Sequence, residues 1–204
     1  MSRCFKRGLP CVFVLLSLLF QTVYATDNNF LVDPVHAVGQ ITPNSTEAEL
    51  IKRYGTEHVK RSEIPVGEGE TIKGTLLFPK TKNELLIEWK HNFSQPLRIT
   101  INQPNTQWKT HSGITLGTTL TEVEKINRQV FKLTGLGWDY EGRTTSWESG
   151  NLPNQLRLVF DYDAENLSTA EYRKISGDGA FNSNHEVFRK LKMTVRAMII
   201  EWNN

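Results

Sequence analysis

The chain has 204 residues, of which 38% are hydrophobic, and its 24 basic and 22 acidic side chains give a formal net charge of +2. This length is enough for one large domain or two small domains with hydrophobic cores of their own. A charge so close to neutral lacks the clustered basic surface that nucleic-acid binding needs, so we expect no nucleic-acid partner.

The first 25 residues are typical of a secretory signal peptide. Basic residues at positions 3, 6 and 7 precede an apolar stretch over 11–20, and Ala25 is the small residue that a cleavage site requires. The apolar stretch is shorter than the roughly 20 residues that span a bilayer. The sequence therefore predicts a secreted or periplasmic protein with no membrane span after signal removal. An N-terminal anchor that is retained is the alternative.

Both cysteines, Cys4 and Cys11, lie inside this predicted signal peptide. The mature chain would then have no disulfide, no thiolate nucleophile and no thiolate metal site. Loss of three basic residues would change its net charge to −1. A secreted domain without disulfides depends on its hydrophobic core for stability.

An unstructured, polar lead-in over residues 26–37 is expected to precede a first unit over residues 38–112. This unit begins with a short helix, because Thr46 and Glu49 match the S/T-x-x-E capping box and Gly55 follows as a C-terminal stop. Runs in which apolar and polar residues alternate predict half-buried strands after the helix. These runs cover residues 71–78, 84–89 and 97–101.

A second unit over residues 113–204 repeats this plan. Residues 114–124 resemble residues 41–51, which lie 73 positions earlier, and Thr119 and Glu122 repeat the capping box. Two units that each start with a helix and continue with strands predict an α+β fold, with short helices on one face of an antiparallel sheet. The extended segments expected in this unit cover residues 138–147, 156–162 and 191–202, with a long loop over 163–186.

The pattern Ile-Thr-x-x-x-Thr-x-x-Glu-Leu/Val, followed by glycine and antiparallel strands, resembles the units of the BamE/SmpA outer-membrane assembly lipoproteins. A tandem pair of such units resembles the secreted β-lactamase inhibitor protein. The resemblance covers residues 39–101 and 113–162, and it implies a binding or inhibitory module rather than an enzyme. The chain lacks the cysteines that staple the loops of the inhibitor, and it lacks the lipid anchor of the lipoproteins. None of its residues matches their partner contacts.

The most unusual local sequence is Trp-Asp-Tyr-Glu-Gly-Arg at residues 138–143, with a further tryptophan shortly after it. Tryptophan, tyrosine and arginine are enriched at the hot spots of protein interfaces. If this segment protrudes, Asp139 can act as a charged plug between aromatic walls. The alternative is that aromatic side chains line the core face of a strand and Gly142 makes a turn. The predicted binding residues are Trp138, Asp139, Tyr140, Glu141, Arg143 and Trp147.

No motif predicts a metal, a cofactor or a catalytic site. Asp161, Asp163 and Glu165 alternate as in a calcium loop, but the glycine and the final acidic residue of that loop are missing, so calcium is the weaker interpretation. The five histidines lack zinc spacing, and no serine lies in a nucleophile elbow.

The sequence thus predicts a non-catalytic protein-binding module, with inhibition of an envelope or extracellular enzyme as one form of it. One alternative is an enzyme acting on cell-wall or other carbohydrate, with Glu141 and either Glu148 or Asp161 beside tryptophan rings that stack on sugars. Another is a small-ligand carrier. The oligomeric state is left open. The pocket of a carrier would be lined by Leu76, Phe78, Leu86 and Trp89.

Overall fold

The structure is a computed structural model that describes residues 30–139, 141–163, 165 and 167–202. The predicted signal peptide lies outside the described residues. The described strands in chain order are β1 (Leu31–Asp33), β2 (Ala37–Val38), β3 (Val59–Gly67), β4 (Glu70–Leu77), β5 (Leu85–Trp89), β6 (Pro96–Ile101), β7 (Lys109–Thr110), β8 (Lys132–Thr134), β9 (Thr144–Ser146), β10 (Leu156–Asp161), β11 (Ala180–Asn182) and β12 (Thr194–Glu201). The described helices are α1 (Glu47–Tyr54), α2 (Leu120–Asn127), α3 (Thr169–Arg173) and α4 (Glu186–Lys190), and a 3₁₀ turn covers His91–Phe93.

Six strands form a central antiparallel sheet in the order β10-β12-β6-β5-β4-β3. Strands β3 to β6 come from the first half of the chain, and β10 and β12 come from the second half. The two halves meet where β12 pairs with β6, which places Met198 opposite Ile101 and Ile200 opposite Ile99. Two further sheets of three strands, β2-β1-β7 and β11-β8-β9, complete the fold.

The predicted α+β fold class is wrong, because the protein is mostly β, with about 17% of its residues in helices. The four described helices have only five to eight residues each. Helices this short contribute little by themselves, and most of the ordered backbone instead forms strands. Residues 31–33, expected in the lead-in, form β1, and residues 180–182, expected in a loop, form β11. Strand β1 pairs with β7 and strand β11 pairs with β8, both distant in sequence, so local periodicity does not reveal them.

Both predicted capping boxes are present at the starts of α1 and α2. The Glu49 backbone N–H donates to Thr46 Oγ1 at 3.2 Å, and the Thr46 N–H donates to the Glu49 carboxylate at 2.9 Å. Thr119 and Glu122 make the same two bonds at 3.2 and 2.9 Å. Each box satisfies backbone donors that the first turn of a helix leaves without partners.

The hydrophobic core lies against one face of the central sheet. Alternate residues of the central strands point into it, as the period of two along a strand requires. The fully buried core residues of these strands include Ile87, Ile99, Ile101, Leu156, Leu158, Phe160, Met198 and Ile200.

A buried carboxylate fastens α1 to the sheet. Glu47, which is 4% exposed, accepts hydrogen bonds from Thr75 Oγ1 at 2.6 Å and from two nitrogens of Arg61 at 2.6 and 2.8 Å. Thr75 in turn accepts a hydrogen bond from Trp89 Nε1 at 2.8 Å. Every member of this group therefore has a partner, as buried polar groups require.

The Thr75→Val substitution should lower the free energy of unfolding by about 2–4 kcal/mol. It removes one hydrogen bond each from the buried Glu47 and the partly buried Trp89 Nε1, and each loss costs about 1–3 kcal/mol. Urea denaturation followed by circular dichroism measures this. The matched control is Thr71→Val on the exposed part of the same strand, which should change stability by less than about 0.5 kcal/mol. Equal effects of the two substitutions would contradict a structural role for the Glu47 group.

A second electrostatic contact joins the two short helices α3 and α4. Glu171 accepts hydrogen bonds from Lys190 of α4 and from Ser168, the residue that caps α3. The hydrogen bond from Lys190 is the largest of the interactions that lower the pKa of Glu171 from 4.5 to about 2. A carboxylate with a lowered pKa stabilises the folded state above its unfolded-state pKa, and this contribution is lost as the pH falls through its folded-state pKa.

We therefore expect the Glu171→Gln variant to be less stable than the natural protein at pH 6, and the difference to shrink as the pH falls from 4.5 towards 2. Urea denaturation at a series of pH values measures this difference. Glu148→Gln, a change at an exposed carboxylate, is the control and should leave the free energy of unfolding nearly unchanged at pH 6. A stability difference that stays constant down to pH 2 would contradict the role of the Glu171 charge.

Candidate functional site

The face of the central sheet that points away from the core carries the candidate site. On β6, Ile99 and Ile101 are fully buried in the core, whereas Arg98 and Thr100 alternate with them on the opposite face. Strand β12 pairs Ile199 with Thr100 and Glu201 with Arg98. Ile199 and Glu201 therefore lie on the same outer face as Arg98 and Thr100. Residues from both halves of the chain thus meet there.

A cleft of about 490 Å³ opens on this outer face. Its floor is a small apolar patch formed by Val159, Ala197 and Ile199, each of which is 8% exposed. Residues 65–67 at the end of β3 form one wall, and Asp139 and Arg143 of the loop between β8 and β9 contribute to another. The remaining lining residues are Glu88, Arg98, Thr100, Asn102 and Arg196.

A β-bulge directs Arg196 to the cleft. The pairing of β10 with β12 shifts between Val159, which lies opposite Ala197, and Phe160, which lies opposite Val195. Arg196 is therefore the extra residue of β12, and its exposed side chain lines the cleft. Bulges commonly redirect a side chain in this way.

Two carboxylates and three arginines form an ion-pair network along the cleft. Arg98 donates to Glu88 at 3.0 Å and to Glu201 at 3.0 Å, and Arg143 donates to the same oxygen of Glu201 at 2.7 Å. Arg157 lies 4.0 Å from the other oxygen of Glu201. Burial lowers the pKa of the Arg98 guanidinium, but the carboxylates of Glu88 and Glu201 outweigh this effect and raise the pKa above its ordinary value. The network links β5, β6, β10 and β12 to the loop before β9.

Hydrogen bonds to the side chain of Glu141 stabilise the loop between β8 and β9. Its carboxylate accepts a hydrogen bond from the Gly137 N–H at 2.7 Å and another from the Tyr162 hydroxyl at 3.0 Å. Burial, followed by the bond to Glu141, raises the pKa of Tyr162 well above its ordinary value. Gly137 has φ 89°, and an added Cβ there would lie 2.5 Å from the Tyr172 hydroxyl, so glycine is needed.

Directly after this glycine, Trp138 is 62% exposed, and the next residue, Asp139, lines the cleft. Of the predicted binding residues, Asp139 and Arg143 line the cleft, and Trp138 directly precedes Asp139 in the chain. Glu141 instead serves the loop itself. Tyr140 lies outside the described residues.

Trp147 belongs to the core and not to the surface. It is 2% exposed, its Nε1 donates to the Leu156 carbonyl at 3.0 Å, and its ring centroid lies 5.0 Å from that of Phe131. It cannot contact a partner from this position. For this residue the alternative interpretation applies, in which the aromatic side chain lines the core.

Sequence reasoning missed Glu88, Arg98, Arg196 and Glu201. The alternation of residues 97–101 placed Arg98 on the polar face of a strand, which was the available signal. Its partner Glu201 lies 103 residues away along the chain, and only the pairing of β12 with β6 brings the two together.

The structure does not assemble the pocket of a small-ligand carrier. Leu76 and Leu86 lie opposite each other on β4 and β5, whereas their neighbours Leu77 and Leu85 point into the core. Phe78 and Trp89 instead pack against the main core. The four residues therefore do not line one cavity.

The residues that a carbohydrate-cleaving enzyme would use are not gathered in the cleft. Glu141 is engaged within its own loop, and Glu148 and Asp161 are exposed elsewhere. Among the described residues, no group of three histidine, cysteine or acidic side chains could hold a metal ion. No described helix is long and apolar enough to cross a membrane.

No family model, curated protein or solved structure matches the chain. The resemblance to the BamE/SmpA-like units therefore stays a prediction, and function has to be argued from the geometry of the cleft and its rim.

The two tryptophans among the predicted binding residues, Trp138 and Trp147, should respond differently to truncation. Trp147→Ala should lower the free energy of unfolding by about 3–5 kcal/mol, because it empties a core position. Trp138→Ala should change it by less than about 0.5 kcal/mol, because that side chain is mostly exposed. Chemical denaturation followed by circular dichroism measures both. A large loss of stability in the Trp138 variant would show that its ring packs against the protein.

Proposed function

We propose that this protein is a non-catalytic binding module, secreted or periplasmic, whose cleft receives a segment of a partner protein. The observation that carries the proposal is an exposed tryptophan, Trp138, next in the chain to Asp139, which lines a cleft that both halves of the chain build. Where the partner is an envelope or extracellular enzyme, occupation of its surface by this module would inhibit it.

Trp138 has the properties of an interface anchor. Tryptophan is enriched among the residues that dominate binding energy, and a large exposed apolar side chain gains most when a partner covers it. The bonds from Gly137 and Tyr162 to Glu141 fix the loop that presents it. A loop that is already ordered loses less conformational entropy on binding.

The cleft supports binding more than chemistry. Glu88, which lines the cleft, and Glu201, which lies on the same face of the sheet, both accept charge-assisted hydrogen bonds from Arg98. Such bonds occupy the oxygens that a general acid or a nucleophile would use. A volume of about 490 Å³ accommodates a few side chains, which fits the insertion of a loop or an extended segment.

The extracytoplasmic location is supported by the sequence pattern of residues 1–25 and by the position of both cysteines within it. A chain that has no cysteine after this segment meets the oxidising environment outside the cytoplasm without a risk of wrong disulfides. The resemblance to small envelope and inhibitor proteins is consistent with the same location.

The Trp138→Ala variant should capture its partner at least about thirtyfold more weakly, since loss of a hot spot costs about 2 kcal/mol or more. Immobilised protein is incubated with secreted and envelope extract, and the retained proteins are quantified by mass spectrometry. The matched control is Val35→Ala, since Val35 is the other large apolar side chain exposed in the described part of the chain. It should leave capture unchanged. Identical retention by all three proteins, or none by the natural protein, contradicts the proposal.

A further inference from the structure

Arg196 is the arginine of the cleft that has no ion pair within the described part of the chain. Its three neighbours on the same face, Arg98, Arg143 and Arg157, all lie within 4.0 Å of Glu201. Arg196 makes no ion pair within the described part of the chain, although it lines the cleft. Its guanidinium is therefore free to bind an anion that comes from outside.

The charges of the residues that line the cleft also favour an anionic ligand. Among the residues that line the cleft, three arginines accompany two carboxylates, those of Glu88 and Asp139. Arg98 and Arg143 are already held by ion pairs with Glu88 and Glu201. The arginine that remains, Arg196, lies on the strand that forms the floor.

An apolar surface lies directly beside this free charge. Ala197 follows Arg196 in the chain, and it contributes to the patch with Val159 and Ile199. A ligand that fills the cleft would therefore place an aliphatic group on this patch and an anionic group on the guanidinium, a few ångströms apart. Neighbouring residues of one polypeptide segment provide this combination.

We infer that the partner segment that enters the cleft carries an aspartate or glutamate, which pairs with Arg196, next to an aliphatic side chain, which covers Val159, Ala197 and Ile199. The inference rests on the proposed function, and it adds the chemistry of the segment. Arginine favours this arrangement because its planar fork can donate two parallel hydrogen bonds to a carboxylate.

The same cleft disfavours a polyanion. Glu88, Asp139 and Glu201 lie on this face and would repel a second or third negative charge close to the first. Nucleic-acid backbones also require several basic contacts in a row. A cleft with one free arginine near carboxylates therefore binds a ligand with a single carboxylate more favourably than a phosphate backbone.

The first test uses two blocked peptides, acetyl-Ala-Val-Asp-Val-Ala-amide and the same peptide with asparagine in place of aspartate. Each is titrated into ¹⁵N-labelled protein, and the amide shifts of Ala197 and Ile199 are followed. We expect the aspartate peptide to shift these amides with about tenfold higher affinity than the asparagine peptide, and Arg196→Gln to remove the difference. Equal affinities, no shift with either peptide, or equal binding of inorganic phosphate alone would overturn the inference.

The second test uses the partner captured by the natural protein. Arg196→Gln should weaken its binding about tenfold and reduce the salt dependence of its association rate, since a charged pair is lost. The matched control is Arg173→Gln, at an exposed arginine of α3 away from the cleft, which should bind as the natural protein does. Binding that depends on Trp138 but not on Arg196 overturns this inference and leaves the proposed function intact. Absence of any captured partner contradicts the proposed function instead.

Discussion

The pairing of β12 with β6 is the contact on which both the core and the cleft depend. On one face it sets Met198 against Ile101 in the core, and on the other it sets Glu201 against Arg98 in the ion-pair network. Because side chains alternate along a strand, a shift of one residue would exchange the two faces. It would bury the carboxylate of Glu201 and expose Met198. The register is therefore fixed from both sides of the sheet at once.

Features that depend on neighbours in sequence could be predicted, and those that depend on strand pairing could not. The capping boxes at Thr46 and Thr119 span three residues each, so the sequence contains all of their chemistry. The fold class depends instead on which distant strands pair. Strand β11, for example, pairs with β8 about 48 positions earlier, from a polar segment that shows no strand periodicity. The mostly β architecture therefore could not be predicted from local patterns.

The same distinction applies to the two tryptophans among the predicted binding residues. Trp138 and Trp147 are the same residue type nine positions apart, yet one is 62% exposed and the other 2%. The indole of Trp147 is buried because its N–H reaches the carbonyl of Leu156 on β10, and that contact exists only after the strands assemble. A cluster of aromatic residues in a sequence therefore marks an unusual segment, but exposure within the segment is decided by tertiary structure.

The bulge at Arg196 connects the needs of the core with the charge of the cleft. Val195 and Met198 are both buried on the core side, although they are three residues apart and strict alternation would place them on opposite faces. An extra residue between them resolves this conflict, and that residue has to leave the ladder. Its side chain extends to solvent and contributes nothing to the core. The position can therefore carry a guanidinium without any loss of packing in the core.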